Sequence, residues 1–484
     1  MSSVRRNFLW NASYQVLLVL TPLVTSPYLS RVLGPAGVGV YSYTYSIANY
    51  FVIFATLGMA QYGVRTIASA GENRGERSRL FWSAWAAQLC VAVPVALIYA
   101  VYLLLAPQGG PLVAGVWGLW VVSAALDVSW LFFGCEDFRL PTERSFATKL
   151  ASLVIIFGFV KGPGDTWVYC LALSSSFFAN QVLMWPFVRR HVDWARPGWP
   201  EIRAHFAPNL RLFAPVVAIS LYTTLDKIML GSISGMEQSG FFEYSEKMSK
   251  MPMSVITALG TVMLPRMTAA LSGGRGAEAR ALLGKSMLVM QAAAMGMAFG
   301  IAAIAPVFAP VFFGEGFGPC TYIMPILAAT VPVISASNVI GVQYLLPTFS
   351  DGAYTASVCA GAAVNVALNL VLLEPFGAAG AAAATVAAEA AVLAWQCARV
   401  RRDLPLTSYL KHALPFLALG AAMAALVRLA TPGIVAALGE SPAALAAVIA
   451  LGAALYGAPA LLILMKLVRG RWIGRDLKNA SQDG

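Results

Sequence analysis

GFFEYSEKMSKMPMSVITALGTVML, residues 240–264, is long and apolar enough to cross a bilayer, yet it carries four charges near its start. Glu243, Glu246, Lys247 and Lys250 fall at i, i+3, i+4 and i+7, which sets them on one stripe of a helix. Lys250 lies ten residues into the run, roughly 15 Å deep at about 1.5 Å per residue. That is near the middle of a hydrocarbon core roughly 30 Å thick. A charge held there costs on the order of 3 kcal/mol, so it faces a bundle interior or a watery cavity. The stripe predicts a helical transporter with a charged central chamber.

The rest of the chain agrees. Of 484 residues, 59% are hydrophobic and only 11% charged, and the mean hydropathy is +0.71. A soluble chain of this length would need more charge to cover its surface. The apolar runs do not alternate, which excludes a β-barrel. The expectation is an all-α polytopic membrane protein with about 14 transmembrane helices, near 8–30, 38–64, 80–106, 112–134, 146–161, 166–188, 208–230, 240–264, 286–312, 321–346, 353–373, 377–398, 409–430 and 443–466.

The net charge of +11 raises the question of a nucleic-acid partner, but its distribution answers no. With the N-terminus inside, 26 Lys and Arg fall on the cytoplasmic side of these spans. Only Arg31, Lys161 and Arg428 fall opposite, and Lys149, Lys227, Lys247 and Lys250 lie within spans. This asymmetry predicts both termini in the cytoplasm and an even span count. The six cysteines sit singly, without CxxC, as packing residues. Arg5-Arg6 precedes a run without a small-x-small cleavage site, so that run reads as the first span rather than a signal peptide. The longest loop, about 189–207, mixes Trp194, Trp199 and prolines with arginines, as suits an amphipathic linker at headgroup level.

An internal repeat is visible. Residues 39–68 overlay on 240–269 with an offset of 201, pairing Gly39 with Gly240, Tyr43 with Tyr244 and Arg65 with Arg266. Six spans separate the repeats, so both halves run the same way, about an axis along the membrane normal. The expected organisation is 1–205, a lobe of six spans; 206–405, a second such lobe; and 406–484, two further spans and a cytoplasmic tail. Ser42, Ser46 and Asn49 then occupy the positions of Glu243, Lys247 and Lys250, a neutral stripe answering a charged one.

The amino-terminal residues also have a family look. Residues 7–68 carry Pro22, Pro27-Tyr28, Arg31-Val32-Leu33-Gly34, Gly37-x-Gly39-x-Tyr41 and Leu57-Gly58, and the second half offers Leu225-Asp226-Lys227-Ile228-Met229-Leu230-Gly231 before Gly240 and Tyr244. This resembles the signature of the polysaccharide transporter family, Wzx-type oligosaccharide flippases of the multidrug/oligosaccharidyl-lipid/polysaccharide superfamily. The resemblance is close over about 1–80 and diffuse beyond. It implies a V-shaped pair of pseudo-symmetric six-helix lobes plus two C-terminal helices in the bacterial cytoplasmic membrane. It also implies a flippase moving undecaprenyl-diphosphate-linked oligosaccharide units to the outer leaflet for surface polysaccharide assembly. The implied partners are that substrate, membrane lipid, and the polysaccharide polymerase and glycosyltransferases of its pathway.

Such a substrate must carry a diphosphate and sugars past hydrocarbon, so a flippase must supply a hydrated groove bearing cations. Lys247 and Lys250 are candidates for the diphosphate; equally, they neutralise Glu243 and Glu246 at i→i+4. Ser46 and Asn49 would face the same cavity. Arg31 would hold substrate at the outer exit or anchor the Gly34-Pro35 turn, and Arg65 would catch it on entry or anchor the cytoplasmic end. Asp127 is a candidate ion-coupling carboxylate, with Lys149 as an alternative structural partner. Tyr41, Tyr43, Tyr45 and Tyr50 offer rings for sugar stacking.

Enzyme signals fail. Gly284-Lys285-Ser286 mimics the end of a phosphate loop, but position 279 is Ala where its first Gly belongs. His191, His205 and His412 lack metal spacing, and no cofactor is expected. Two other readings stand beside the flippase. One is a multidrug or small-molecule exporter of the same superfamily, which would favour aromatics and carboxylates over lysine. The other is an integral-membrane polysaccharide polymerase or acyltransferase, which would need a larger outer loop or a His/Asp/Ser cluster.

Overall fold

The computed structural model describes residues 2–105, 107–348 and 350–469; side chains of the first spans' opening, 2–19, lie outside that description, as does the tail from 470 onward. Within it the chain is helical throughout: α1 (Ser2–Thr56), α2 (Met59–Ser69), α3 (Arg74–Leu104), α4 (Pro111–Ser123), α5 (Ser129–Gly134), α6 (Arg139–Phe159), α7 (Thr166–Val182), α8 (Trp185–Val188), α9 (Trp199–Ala204), α10 (Phe206–Ile233), α11 (Met236–Lys250), α12 (Met253–Ser272), α13 (Gly276–Phe308), α14 (Cys320–Ala328), α15 (Thr330–Ile340), α16 (Asp351–Val400), α17 (Leu406–Leu438) and α18 (Pro442–Arg469). Among the described residues, nine helical stretches are long and apolar enough to cross a membrane, some of them joining consecutive elements.

Two of those stretches, Leu20–Ser69 and Asp351–Val400, run to 50 residues each, far beyond the roughly 20 that a span needs. Each contains a glycine in left-handed or bridging backbone: Gly34 at φ 66° and Gly377 at φ 53°. Only glycine adopts such angles cheaply. In α16 the consequence is a hairpin. Gln396 donates from Nε2 to Ser357 Oγ at 3.2 Å, and a Cβ on Gly361 would strike Val392, so residues on either side of Gly377 face each other. In α1 the two arms follow different partners: Tyr28 donates to the Val160 carbonyl at the end of α6, whereas Tyr41 packs its ring on Tyr169 of α7 at 4.8 Å.

The chain divides into two compact units, Met1–Gly240 and Phe241–Gly484. The first therefore reaches past residue 205. α10 belongs to it because Tyr50 donates to the Ser220 carbonyl at 2.9 Å and Gly231 lies under the Tyr43 ring. The expected lobes, 1–205 and 206–405, rest on the repeat in the sequence rather than on compactness. Gly39 and Gly240, paired by the repeat, touch backbone to backbone. A Cβ on Gly39 would collide with the Met236 carbonyl, and one on Gly240 with the Pro35 carbonyl.

In the second unit α13 is the central post. α17 and α18 lean on it: Tyr456 donates to the Ala292 carbonyl at 2.6 Å, Arg428 to the Ala302 carbonyl at 2.8 Å, and Gly420 admits the Phe299 ring. Their other faces are exposed apolar surface, with Leu426, Leu429, Leu461 and Leu462 all more than half bare. Such a surface suits lipid, not water.

Because carbonyl oxygens cannot yield as a flexible side chain does, Gly240→Ala is expected to lower stability by about 1–3 kcal/mol. Thermal unfolding in detergent reads this out; a melting curve unchanged from wild type would contradict the close approach.

Candidate functional site

The charged stripe forms as the spacing requires. Lys247 Nζ lies 3.1 Å from Glu243 Oε1, and Lys250 Nζ lies 2.6 Å from Glu246 Oε1. The carboxylates are buried at 5% and 7% residue exposure, while the lysine side chains are 27% and 31% exposed. The lysines thus stand at the open edge of the cluster. α11 is held by the residues flanking the stripe: Tyr244 stacks on Phe313 and Phe317 at 5.2 and 5.5 Å, and Ser249 donates to the Met324 carbonyl at 3.3 Å.

The helix stops just beyond Lys250 because Pro252 has no N–H to continue the ladder. Lys247 and Lys250 therefore occupy the last turn, where open carbonyls and the helix dipole favour cations. Glu389 of α16 joins the cluster. It is 6% exposed and within electrostatic reach of Lys250. The sequence signal for it was a single carboxylate in the run AAAATVAAEAAVLAW, residues 381–395.

The remaining candidates lie on other elements. Ser42 and Ser46 are fully buried, and Ser46 Oγ has no hydrogen-bond partner; Asn49 is half-buried on the same arm of α1. Arg31 donates from Nη1 to the Pro27 carbonyl at 2.7 Å, closing the arm that ends at Gly34. Arg65 is exposed on α2. The aromatic residues form a track, with Tyr45 stacked on Trp120 at 4.9 Å and Trp120 on Phe177 at 4.7 Å.

Asp127 sits in a break between α4 and α5. Its Oδ1 accepts from Ser129 N at 2.9 Å and Ser129 Oγ at 2.7 Å, with the Gln181 side chain also bonded to it. It closes a side-chain turn onto the residue two on, just before α5 begins. The break leaves carbonyls open, and each finds a donor: Gln88 at Ala124 (2.6 Å), Trp85 at Ala125 (3.1 Å), Trp185 at Leu126 (3.0 Å) and Trp130 at Asp127 (3.1 Å).

The long linker that follows α8 is clasped to α3. Arg74 forks onto Asp193 with two contacts of 2.8 Å and reaches the carbonyls of Arg189 and Arg190. The guanidinium holds the Asp193 carboxyl below its ordinary value. Trp194 is 70% exposed and Trp199 61%, as headgroup-level rings would be. His205 is buried, with Tyr62 Oη at 2.7 Å from Nδ1 and Ser83 Oγ at 2.7 Å from Nε2. Neutral imidazole serves both partners, and burial pushes its pKa below 6.5.

Comparison with known proteins now has a geometry to meet. The family model described as "Polysaccharide biosynthesis protein" matches residues 4–271. The chain belongs to that family. A curated protein named "Putative O-antigen transporter" from Escherichia coli (strain K12) is 25% identical over 408 residues, covering 83% of this chain and 97% of its own length. A protein of the same name from Shigella dysenteriae is 20% identical over 382 residues, covering 75% and 91%. Among solved structures, "Lipid II flippase MurJ, inward closed conformation" superposes with a TM-score of 0.74 at 12% identity, covering 96% of this chain and all of that one. An inward-facing MATE transporter of the MOP superfamily gives 0.60 at 13% identity, covering 78% and 97%. The resemblance read from residues 7–68 is therefore met, and the fold is the helical one shared by MurJ and MATE proteins, in a multi-pass membrane protein.

The His205 geometry sets a pH dependence. A depressed folded pKa means that the unfolded state binds the proton first, so stability is full above about 6.5 and falls as pH drops below it. The half-buried His191, whose pKa burial also lowers, adds in the same direction. Melting followed from pH 7.5 to 5.5 is expected to show a drop that shrinks in His205→Asn; an equal drop in wild type and variant would remove His205 from the account.

Proposed function

We propose that this chain is a flippase of lipid-linked saccharides, carrying undecaprenyl-diphosphate-linked oligosaccharide units from the inner to the outer leaflet of the bacterial cytoplasmic membrane. Fourteen spans would run as two six-helix lobes plus a terminal pair, both termini inside, with alternating access moving the substrate. The cycle uses no nucleotide hydrolysis by this chain. Membership of a polysaccharide family supports the substrate class. The observation that carries the reading is the pair of lysines at the open edge of α11, each backed by a buried glutamate. An ammonium so placed can meet a diphosphate in a charge-assisted contact.

The exporter alternative gains little from this cluster. Glu243 and Glu246 each already face an ammonium, which leaves them poorly placed to attract a cationic drug. Polymerase and glycosyltransferase partners belong to the proposal as the steps that consume and supply the substrate.

Lys250→Ala is expected to lower surface polysaccharide at least about tenfold in cells lacking the native copy, the scale of one lost charge-assisted contact. Lys227→Ala, nearer the outer end of its helix, should have a smaller effect at equal expression. Wild-type polysaccharide with Lys250→Ala would remove the lysine from the substrate's path.

Asp127 enters as the ion-coupling candidate. Asp127→Asn retains an acceptor for Ser129 while deleting the charge, so it should keep the fold and weaken the response of flipping to an imposed pH gradient in proteoliposomes. An undiminished response would leave Asp127 with its turn-forming bond to Ser129 alone.

A further inference from the structure

We propose that the pocket between α6 and α7 is an oxyanion subsite, centred on Lys149, for the headgroup of the lipid-linked saccharide; this rests on the flippase reading and adds a site to it. The residue pattern comes first. Ser145, Thr148, Lys149 and Ser152 recur on α6 at i, i+3, i+4 and i+7, the spacing of the charged stripe on α11. α7 presents Leu173, Ser176, Phe177 and Asn180 at the same spacing, and the two rows line one pocket. The helices run antiparallel, and Ser145 Oγ meets Asn180 Oδ1 at 3.3 Å to fix their register.

A row of small hydroxyls between two membrane helices is ordinarily a packing seam, and a seam closes. This one leaves a cavity of about 80 Å³. Lys149 lies ten residues from either end of α6, roughly 15 Å from each at about 1.5 Å per residue. The lipid side of α6 is apolar, with Leu150, Val154 and Phe159 exposed. The ammonium therefore belongs with the polar row, in a pocket of hydroxyl and amide groups that match phosphate or carboxylate oxygens.

Two further observations point to an anion. Nearer the cytoplasmic end of the same helix, Arg144 lies 4.0 Å over the Phe187 ring, and Arg190 lies 4.4 Å over it. Arg144 Nε is buried without a hydrogen-bond partner, while the adjacent carboxylate, Glu143, is taken up by Arg139 at 2.6 Å. Cations thus mark the way from the cytoplasmic surface to Lys149. At the pocket itself Phe177 ends the stacked track through Trp120 to Tyr45, so sugars attached to a bound oxyanion have rings to lie against. The oxyanion is the diphosphate or the carboxylate of an acidic sugar, and the experiment separates them.

The test uses the full chain in nanodiscs, with farnesyl diphosphate, farnesyl-diphosphate-linked N-acetylglucosamine and glucuronate as probes. A membrane-permeant acylating reagent labels lysines with and without each probe, and mass spectrometry reads Lys149 in the wild-type protein, so no variant needs to fold. Protection by either diphosphate probe assigns the pocket to diphosphate; protection by glucuronate alone assigns it to an acidic sugar. Lys149→Met should weaken the protecting probe at least about tenfold and Lys149→Arg far less, as expected for a charge-assisted contact. Phe177→Leu should weaken only the sugar-bearing diphosphate. A diphosphate probe that binds wild type while Lys149 labels as before overturns the subsite and leaves the flippase standing. Failure of wild type to bind any probe overturns both.

Discussion

Hydrocarbon tolerates charge only when the charge has company, and that constraint organises this molecule. In α11 two lysines and two glutamates share one helix face because the helix repeat sets each ammonium over the carboxylate one turn back. Their exposures differ: the carboxylates are buried, while the lysine side chains are about a third open. A pair built in that way is asymmetric toward a visitor. On the proposed reading, an anion approaching from the open edge meets positive charge first. Pro252 ends the helix beside Lys250.

The same rule, that polar backbone or side chains in a span must be answered from nearby, explains features with no charge in them. The break at 124–127 exists because tryptophan and glutamine side chains from three other segments reach its carbonyls. Gly34 and Gly377 can turn the chain tightly because glycine needs no side-chain accommodation at positive φ. Gly39 and Gly240 let two backbones touch where any Cβ would separate them. Each is a local departure from the straight apolar helix, made tolerable by a specific neighbour.

Much of this was legible in the residues. Periodicity placed the stripe, since 3.6 residues per turn leaves no freedom in where i+4 falls, and composition placed the chain in the membrane. The proline and glycine punctuation of residues 22–58 carried the family resemblance. What escaped were relations between segments distant in sequence. Glu389 reads as one acid in a run of alanines, and nothing local says that it faces Lys250. Asp127 looked like a lone intramembrane carboxylate, whereas Ser129, two residues on, was its hydrogen-bond donor; the short polar signal was outweighed by depth. α10 reads in the sequence as the opening of a repeat, while its packing against Tyr50 and Tyr43 is set by surfaces that no single-sequence pattern displays.

The ring of indoles around the 124–127 break has a bearing on electrical tightness. An interrupted span is ordinarily a wet place, since water is the simplest donor for a stranded carbonyl, and water in a bilayer conducts protons. Here three indole N–H groups and one amide occupy those positions with bulky, mostly apolar bodies, satisfying the oxygens without admitting solvent. Replacing an indole with phenyl would preserve volume and lose the donor, inviting water to the vacated oxygen. The aromatic collar thus lets a helix be broken at depth in a membrane that must still hold its ion gradients.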